Sequence, residues 1–160
     1  MGVAARWGDV SLIKFLLDLR ADPNLPTEPG GSATPLHATV TRCSQLEAAR
    51  CLVEGGADVN AGCPLPLLAA ASIGNCEFVQ YLIEARADVG TLGRPGDHAD
   101  AAVAMSALHA AVAHTNLDVA KCLLIGKADV NQSTNDGCTA LWMAVQQVGS
   151  PGLLCCAVCQ

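Results

Sequence analysis

Cys156 and Cys159 form a Cys-x-x-Cys pair near the C-terminal end of the sequence. This spacing is typical of thiol redox pairs and of half a zinc site. A complete zinc site needs two more ligands, and no second pair occurs at a suitable spacing, while a redox pair would need a βαβ context. We interpret the pair as part of an apolar, cysteine-rich end helix. The alternatives are metal or redox chemistry and acylation of Cys155 or Cys156.

Histidine is the second residue type here that could do chemistry. His98 lies between Asp97 and Asp100 in a glycine-containing stretch, a combination that could hold a cation but more often stays solvated on a loop. His37 and His109 instead occur at the starts of two similar segments. No Ser-His-Asp or Cys-His arrangement with a shared pocket is apparent. We therefore expect no catalytic residues, no metal site and no cofactor.

Composition favours a helical domain without nucleic-acid chemistry. Of the 160 residues, 51% are apolar but only 3% are aromatic, so the core must consist of Ala, Leu, Val and Ile. The formal net charge is −6, which gives the chain no electrostatic reason to bind phosphate backbones. No stretch reaches the roughly 18–20 apolar residues of a membrane span, and the N-terminus lacks the features of a signal peptide.

The nine cysteines are an odd number, which does not suit a secreted disulfide scaffold. Cys51 and Cys122 occupy one position of a repeated helical run, where Phe15 and Tyr81 also occur. We interpret these cysteines as small core hydrophobes. This predicts an intracellular protein in a reducing compartment, either the cytoplasm or an organelle interior, and not a secreted one.

Two motifs recur along the chain. The first motif comprises Ala21-Asp22-Pro23-Asn24, Ala57-Asp58-Val59-Asn60, Ala87-Asp88-Val89-Gly90 and Ala128-Asp129-Val130-Asn131. Each copy follows an apolar run, at residues 13–17, 49–53, 79–83 and 120–124. The first, fourth and fifth residues of each run are apolar, which is the spacing of one buried helical face. The second motif predicts helix starts and comprises Thr34-Pro35-Leu36-His37, Leu65-Pro66-Leu67-Leu68, Ser106-Ala107-Leu108-His109 and Thr139-Ala140-Leu141-Trp142. Successive starts are 31, 41 and 33 residues apart.

These two motifs in register resemble the ankyrin repeat, which has a period of about 33 residues. The resemblance implies an all-α solenoid of helix-turn-helix repeats with hairpin-like loops. We expect one array over residues 1–160, with repeats at about 1–24, 34–60, 65–90, 106–131 and 139–160 and an inserted loop at 91–105. It also implies structural roles for the motif residues, including a hydrogen-bonding role for the two histidines; these residues are Thr34, Pro35, Leu36, His37, His109, Asp58, Asn60, Asp129 and Asn131.

The family prefers glycine before the Ala-Asp pair, where the second helix ends in a left-handed conformation. Only Gly56 fits this preference, since Arg20, Arg86 and Lys127 take its place elsewhere. We expect these three cations in the same strained conformation, partly offset by their favourable position at a helix C-terminus.

The resemblance also implies a contact surface on the concave side of the array. The candidate partner-binding residues at the first-helix ends are Arg6, Trp7, Thr41, Arg42, Ser72, Ile73, Ala113, His114, Gln146 and Gln147, and those of a hairpin are Asn135, Asp136 and Cys138. Trp and Arg are enriched at binding hot spots, although Trp7 could instead cover the first repeat.

The expected function is that of a non-catalytic scaffold for protein–protein interaction, as a peripheral subunit docked in a larger assembly. The alternatives are a regulatory ankyrin segment of a larger enzyme or channel, and an enzyme acting through Cys156 and Cys159. The partner would be a protein or protein complex. Both terminal repeats look incomplete, and residues 153–160 are apolar, so we expect a partner or further chain to cover them.

Overall fold

Short helices joined by tight turns account for most of the computed structural model. The structure describes residues 1–28, 30–40, 45–94 and 103–149, with side chains up to residue 146. The helices in these ranges are α1 (Gly2–Trp7), α2 (Val10–Asp18), α3 (Pro35–Val40), α4 (Leu46–Glu54), α5 (Pro66–Ile73), α6 (Cys76–Glu84), α7 (Ala107–Ala113), α8 (Leu117–Ile125) and α9 (Ala140–Gly149). The predicted all-α repeat fold is confirmed.

The helix starts follow from local chemistry. Pro35 and Pro66 are the first residues of α3 and α5, where a missing N–H costs nothing. The second helices of two repeats begin after a side-chain cap. The Leu12 amide donates to Asp9 at 3.0 Å, and the Phe78 amide donates to Asn75 at 3.1 Å.

The second helices end in the predicted left-handed conformation. The φ angles are 60° at Arg20, 66° at Arg86, 66° at Lys127 and 94° at Gly56. In each case the next amide bonds back to a carbonyl of the last helical turn, as at Ala87, whose N–H donates to Leu82 at 2.8 Å. The expectation that three cations adopt this conformation is confirmed.

The first helices α1, α3, α5, α7 and α9 pack side by side in one layer, and the second helices form another. Small residues line the first layer, where Ala5, Ala71 and Ala111 are completely buried. The second layer contributes Leu52, Leu82 and Leu123, the fourth residues of their apolar runs, all completely buried. Small side chains in one layer and leucines in the other let the two layers approach closely.

Two details of the predicted buried face were wrong. The fifth residues of the runs are only partly covered, and Leu124 is 44% exposed. The position shared by the cysteines is not a uniform core position either. Cys51 is buried, but Cys122 is half-buried and Phe15 is 59% exposed. Both positions lie on the flanks of the helix, because about 100° separates successive residues and only the first and fourth point inward.

Hairpin-like loops join successive repeats. Isolated antiparallel bridges pair Gly93 with Met105 and Ser133 with Thr139, and the described residues contain no longer strand. The first bridge closes the inserted loop, whose central residues 95–102 lie outside the described residues. In the ranges given above, no helix is long and apolar enough to cross a membrane.

Candidate functional site

Most of the predicted first-helix positions fall at the C-terminal ends of neighbouring helices. We call them the helix-end row, which consists of Arg6, Trp7, Ser72, Ile73, Ala113, His114 and Gln146. Because α1, α5, α7 and α9 belong to one layer of side-by-side helices, in which α3 lies between α1 and α5, their ends lie along one edge of that layer. Thr41 and Arg42 lie outside the described residues, as does the side chain of Gln147.

Large apolar side chains are exposed in this row. Trp7 is 70% exposed and Ile73 is 45% exposed, and His114 and Gln146 are exposed as well. Ser72 differs from them because its hydroxyl donates to the Leu68 carbonyl at 3.0 Å within its own helix. The row therefore combines aromatic, aliphatic and polar groups, the mixture from which protein interfaces are built.

A small cleft separates the N-terminal end of the row from the first loop. Arg6 forms a 3.2 Å ion pair with Glu28 across it, and the Arg6 carbonyl accepts a hydrogen bond from the Gln45 side-chain amide at 2.9 Å. The cleft has a volume of about 170 Å³ and is also lined by Thr27 and His37. First-helix residues and loop residues thus line one recess.

The predicted hairpin positions surround a tight turn at Thr134. The Thr134 hydroxyl accepts from the Cys138 amide at 3.0 Å and donates to the Asp136 carboxylate. Asn135 and Asp136 are exposed, whereas Cys138 is half-buried. Burial, followed by the charge of Asp136, raises the pKa of the Cys138 thiol. This cysteine therefore stays protonated, and the polar tip presents Asn135 and Asp136.

His109 connects the fourth repeat to the following hairpin. Its ring is buried, Nδ1 lies 2.7 Å from the Ser106 hydroxyl, and Nε2 lies 3.2 Å from the Cys138 carbonyl oxygen. Because Nδ1 also accepts from the Ser106 amide, the proton is on Nε2. Burial lowers the pKa of His109. The equivalent His37 is half-buried and lines the N-terminal cleft.

The Asp and Asn residues of the recurring motif form a hydrogen-bond ladder between repeats. Asp58 accepts from the Asn60 amide at 2.8 Å, and Asp129 accepts from the Asn131 amide at 2.9 Å. The Asn60 side chain then accepts from the Asp88 amide of the next repeat at 2.8 Å. Sequence reasoning predicted structural roles for these residues but missed the bond between repeats.

The same kind of hydrogen bond joins the first and second repeats, but a different one follows the third repeat. Asn24 accepts from the Asp58 amide at 2.7 Å and donates to the Gly56 carbonyl at 3.1 Å. Gly90 has no side-chain amide, and its carbonyl instead accepts a hydrogen bond at 2.5 Å from the side-chain amide of Gln132, just after the fourth repeat. Hydrogen bonds from Thr91 and the Gly90 amide lower the pKa of Asp88 at this junction.

Of the residues first considered for chemistry, His37 and His109 are described above. Asp97, His98, Asp100, Cys155, Cys156 and Cys159 all lie outside the described residues. Within the described ranges, no group of three or more His, Cys, Asp or Glu side chains is close enough to hold a metal ion. The helix-end row and the hairpin tip both expose polar or apolar side chains to solvent.

Comparison with known proteins agrees with this architecture. The family description "Ankyrin repeats (3 copies)" matches residues 1–92, and "Ankyrin repeat" matches residues 105–135. Neurogenic locus notch homolog protein 1 from Xenopus tropicalis is 33% identical over 145 residues, which cover 89% of this chain and 5% of that protein. The human protein of the same name is 31% identical over 145 residues, with the same coverage.

A relative of a different kind is the putative palmitoyltransferase ZDHHC13 from Danio rerio, which is 33% identical over 155 residues, covering 94% of this chain and 22% of that protein. This chain thus spans a small part of the length of each of these relatives. The family matches cover most of the chain, and their limits enclose the first eight helices of the two layers. The chain therefore belongs to the ankyrin repeat family, whose members are in general non-catalytic modules that bind other proteins.

Proposed function

We propose that this chain is a non-catalytic scaffold that binds a partner protein through the helix-end row and the hairpin tip at Asn135 and Asp136. The exposure of Trp7 and Ile73 carries the proposal. Large apolar groups on an otherwise polar edge are the typical anchors of an interface. Arg42, which the family resemblance predicts for the same surface, would add a cation to it.

The partner we propose is a protein or protein complex, with this chain as a peripheral subunit. The formal net charge of −6 favours a protein over a nucleic acid. Coverage of the terminal repeats by the partner or by further chain belongs to the same proposal, and the exposed Leu141 and Val145 of α9 support it.

A second proposal is that the array is a regulatory segment of a larger enzyme or channel polypeptide. The small share of each relative that this chain covers supports it, since one of them is a putative palmitoyltransferase. The two proposals differ in the size of the native polypeptide. In the second case, an antibody against this array would detect a band far larger than the 16.4 kDa of the array itself, whereas in the first case the band would be too small to include an enzyme or channel domain.

We further propose an intracellular, reducing compartment for the array. The thiols of Cys51, Cys63, Cys76, Cys122 and Cys138 are free, which fits such a compartment. Fractionation of the native source, followed by thiol labelling of the intact protein, would test this placement. Recovery from an oxidising compartment would contradict it.

The binding surface can be tested with two double variants. Ile73→Ala/His114→Ala changes adjacent positions of the helix-end row, and Lys14→Ala/Lys121→Ala changes exposed positions on the second helices. Each is captured with its bound proteins from the native source and quantified by mass spectrometry. We expect the row variant to lose the proteins bound by the wild type and the control to keep them.

The surface assignment would be overturned if the row variant kept those proteins, or if both variants lost them equally. Melting curves establish that the variants are folded, since surface substitutions change stability by only about 0.5 kcal/mol. The affinity of a purified captured protein for each variant then gives the size of the effect.

A further inference from the structure

Two cysteines from consecutive repeats meet at the surface of the second-helix layer. Cys76 is the first residue of α6, and Cys122 lies in the middle of α8. Their sulfur atoms are 2.8 Å apart, although 46 positions separate the residues in the sequence. Both thiols are free and both residues are half-buried. Sequence reasoning missed this pair, because Cys76 lies outside the apolar run.

The geometry is that of a dithiol close to its oxidised form. A disulfide has a sulfur–sulfur distance of about 2.05 Å, so the two atoms need to approach by less than roughly 1 Å. Contacts between α6 and α8 already hold the two backbones side by side.

The surroundings distinguish the two sulfurs. The Gln80 side-chain amide lies 3.5 Å from the Cys122 sulfur and donates an N–H to it. Cys76 keeps its proton, since its hydrogen bond to Cys122, then burial, then the charges of Cys122 and Asp118, raise its pKa to about 11. Cys122 is therefore the attacking sulfur and Cys76 the resolving one.

A reagent can reach Cys122 from solvent. An open groove of about 380 Å³ between α6 and α8 is lined by Cys122 together with Gln80, Ile83, Glu84 and Ile125. A volume of this size accommodates a small molecule. The sulfur that the hydrogen bonds select for attack is thus also the one that borders the open groove.

We propose that Cys76 and Cys122 are a reversible redox modification site that reacts with low-molecular-weight disulfides and cross-links the third and fourth repeats. The Cys122 thiolate attacks one sulfur of the small disulfide, whose S–S bond breaks and releases one thiolate that takes up the Cys122 proton. The Cys76 sulfur then loses its proton and attacks Cys122, which releases the second small thiol. Two electrons pass from the cysteines to the small disulfide.

The cross-link joins helices on either side of the inserted loop. It would constrain the unfolded chain over the 46-residue separation and hold α6 against α8. Reduction by an excess of small thiol would restore the free pair. This inference concerns the second-helix layer and is independent of the binding surface proposed above.

The test uses the full chain equilibrated in mixtures of reduced and oxidised glutathione, quenched with acid and alkylated. Peptide mapping should show residues 76 and 122 in one disulfide-linked peptide pair. The melting temperature of the wild type should rise by roughly 5–15 °C on oxidation. Cys63→Ser, which removes another half-buried thiol, should keep the rise, whereas Cys76→Ser and Cys122→Ser should lose it.

The proposal is overturned if both thiols remain alkylated throughout the series, if the mapped disulfide joins other cysteines, or if all four proteins show the same melting shift. A stable glutathione adduct on Cys122 without the internal bond would also contradict it. Circular dichroism checks the fold of the serine variants, and the peptide map of the wild type decides the question if a variant does not fold.

Discussion

At the scale of single residues, His109 makes the stability of the folded chain depend on pH. Burial lowers the pKa of His109 in the folded chain, while the unfolded chain takes up the proton near the ordinary value of 6.5. Stability from the neutral ring is therefore fully present above about pH 6.5 and is lost as the pH falls toward the folded pKa. We expect the melting temperature to decrease over that interval.

His109→Gln should remove this decrease and should lower stability at neutral pH by about 1–3 kcal/mol, because the ring's hydrogen bonds to Ser106 and Cys138 are lost. His114→Gln changes an exposed histidine and serves as the control, which should keep the wild-type pH profile. Melting curves at a series of pH values compare the three proteins. An unchanged profile in His109→Gln would assign the effect to other groups.

The left-handed residue at the end of α6 gives a second residue-scale prediction. Arg86 has a φ of 66°, which a glycine adopts without strain. Arg86→Gly should be more stable than Arg86→Ala by about 1 kcal/mol, because both remove the cation but only Ala keeps the strain. Urea unfolding measures the difference between the two variants.

The same pair of substitutions at Gln80, an exposed position inside α6, is the matched control. There the order should reverse, with alanine more stable than glycine by about 1 kcal/mol. If glycine were also the less stable residue at position 86, the left-handed conformation would not be the source of strain.

At the scale of elements, the hydrogen-bond ladder couples one repeat to the next. Asn60→Ala removes the side-chain acceptor of the Asp88 amide and should cost about 1–2 kcal/mol. Asn131→Ala is the comparison, because the Asn131 hydrogen bond to Asp129 uses the backbone amide, which alanine retains. Chemical denaturation of both variants checks the difference; equal losses would mean that the bond between repeats contributes nothing.

Gly90 offers the reverse experiment. A Cβ atom at this position meets only the Asp88 carboxylate, at 3.4 Å, so a side chain fits. Gly90→Asn should restore the regular ladder toward Asp129 and stabilise the chain by roughly 0.5–1.5 kcal/mol relative to Gly90→Ala. A stability equal to that of the alanine variant would show that Gln132 already replaces the missing bond.

The helices themselves were predictable because their signals are local. Proline at a helix start and the Ala-Asp motif after a helix end reflect hydrogen bonding within a few residues, so the starts of α3 and α5 followed from the sequence. The burial of Cys122 and Phe15 did not follow, since it depends on which neighbouring helix covers the flank. The ladder was missed for the same reason, because Asn60 bonds to a residue 28 positions away.

At the scale of the whole molecule, each repeat depends on its neighbours for stability. Leu82 and Leu123 are completely buried. Leu82→Ala should destabilise the chain by roughly 2–5 kcal/mol, and protection against hydrogen exchange should fall first in the repeats next to α6. Leu117→Ala is the control, since this side chain is 66% exposed. Uniform loss of protection along the array would contradict a nearest-neighbour stack.

The candidate binding surface was less predictable than the core. The family resemblance located the ends of the first helices, and most of these residues do lie on one edge, but which of them contact a partner stays a prediction. Ser72 shows why, because its hydroxyl bonds within its own helix instead of facing a partner. Packing within the chain does not restrict the type of an exposed side chain. Which exposed residues bind a partner therefore depends on the surface of that partner, which this sequence does not contain.

The ladder also has an evolutionary consequence, because its bonds between repeats end on main-chain groups. Asn24 bonds to the carbonyl of Gly56 and the amide of Asp58, and every residue type except proline offers both groups. A duplicated or exchanged repeat therefore finds its attachment points in any neighbour, whatever side chains that neighbour has acquired. The length of the array and the identity of its exposed residues can thus diverge separately among descendants of one ancestral gene.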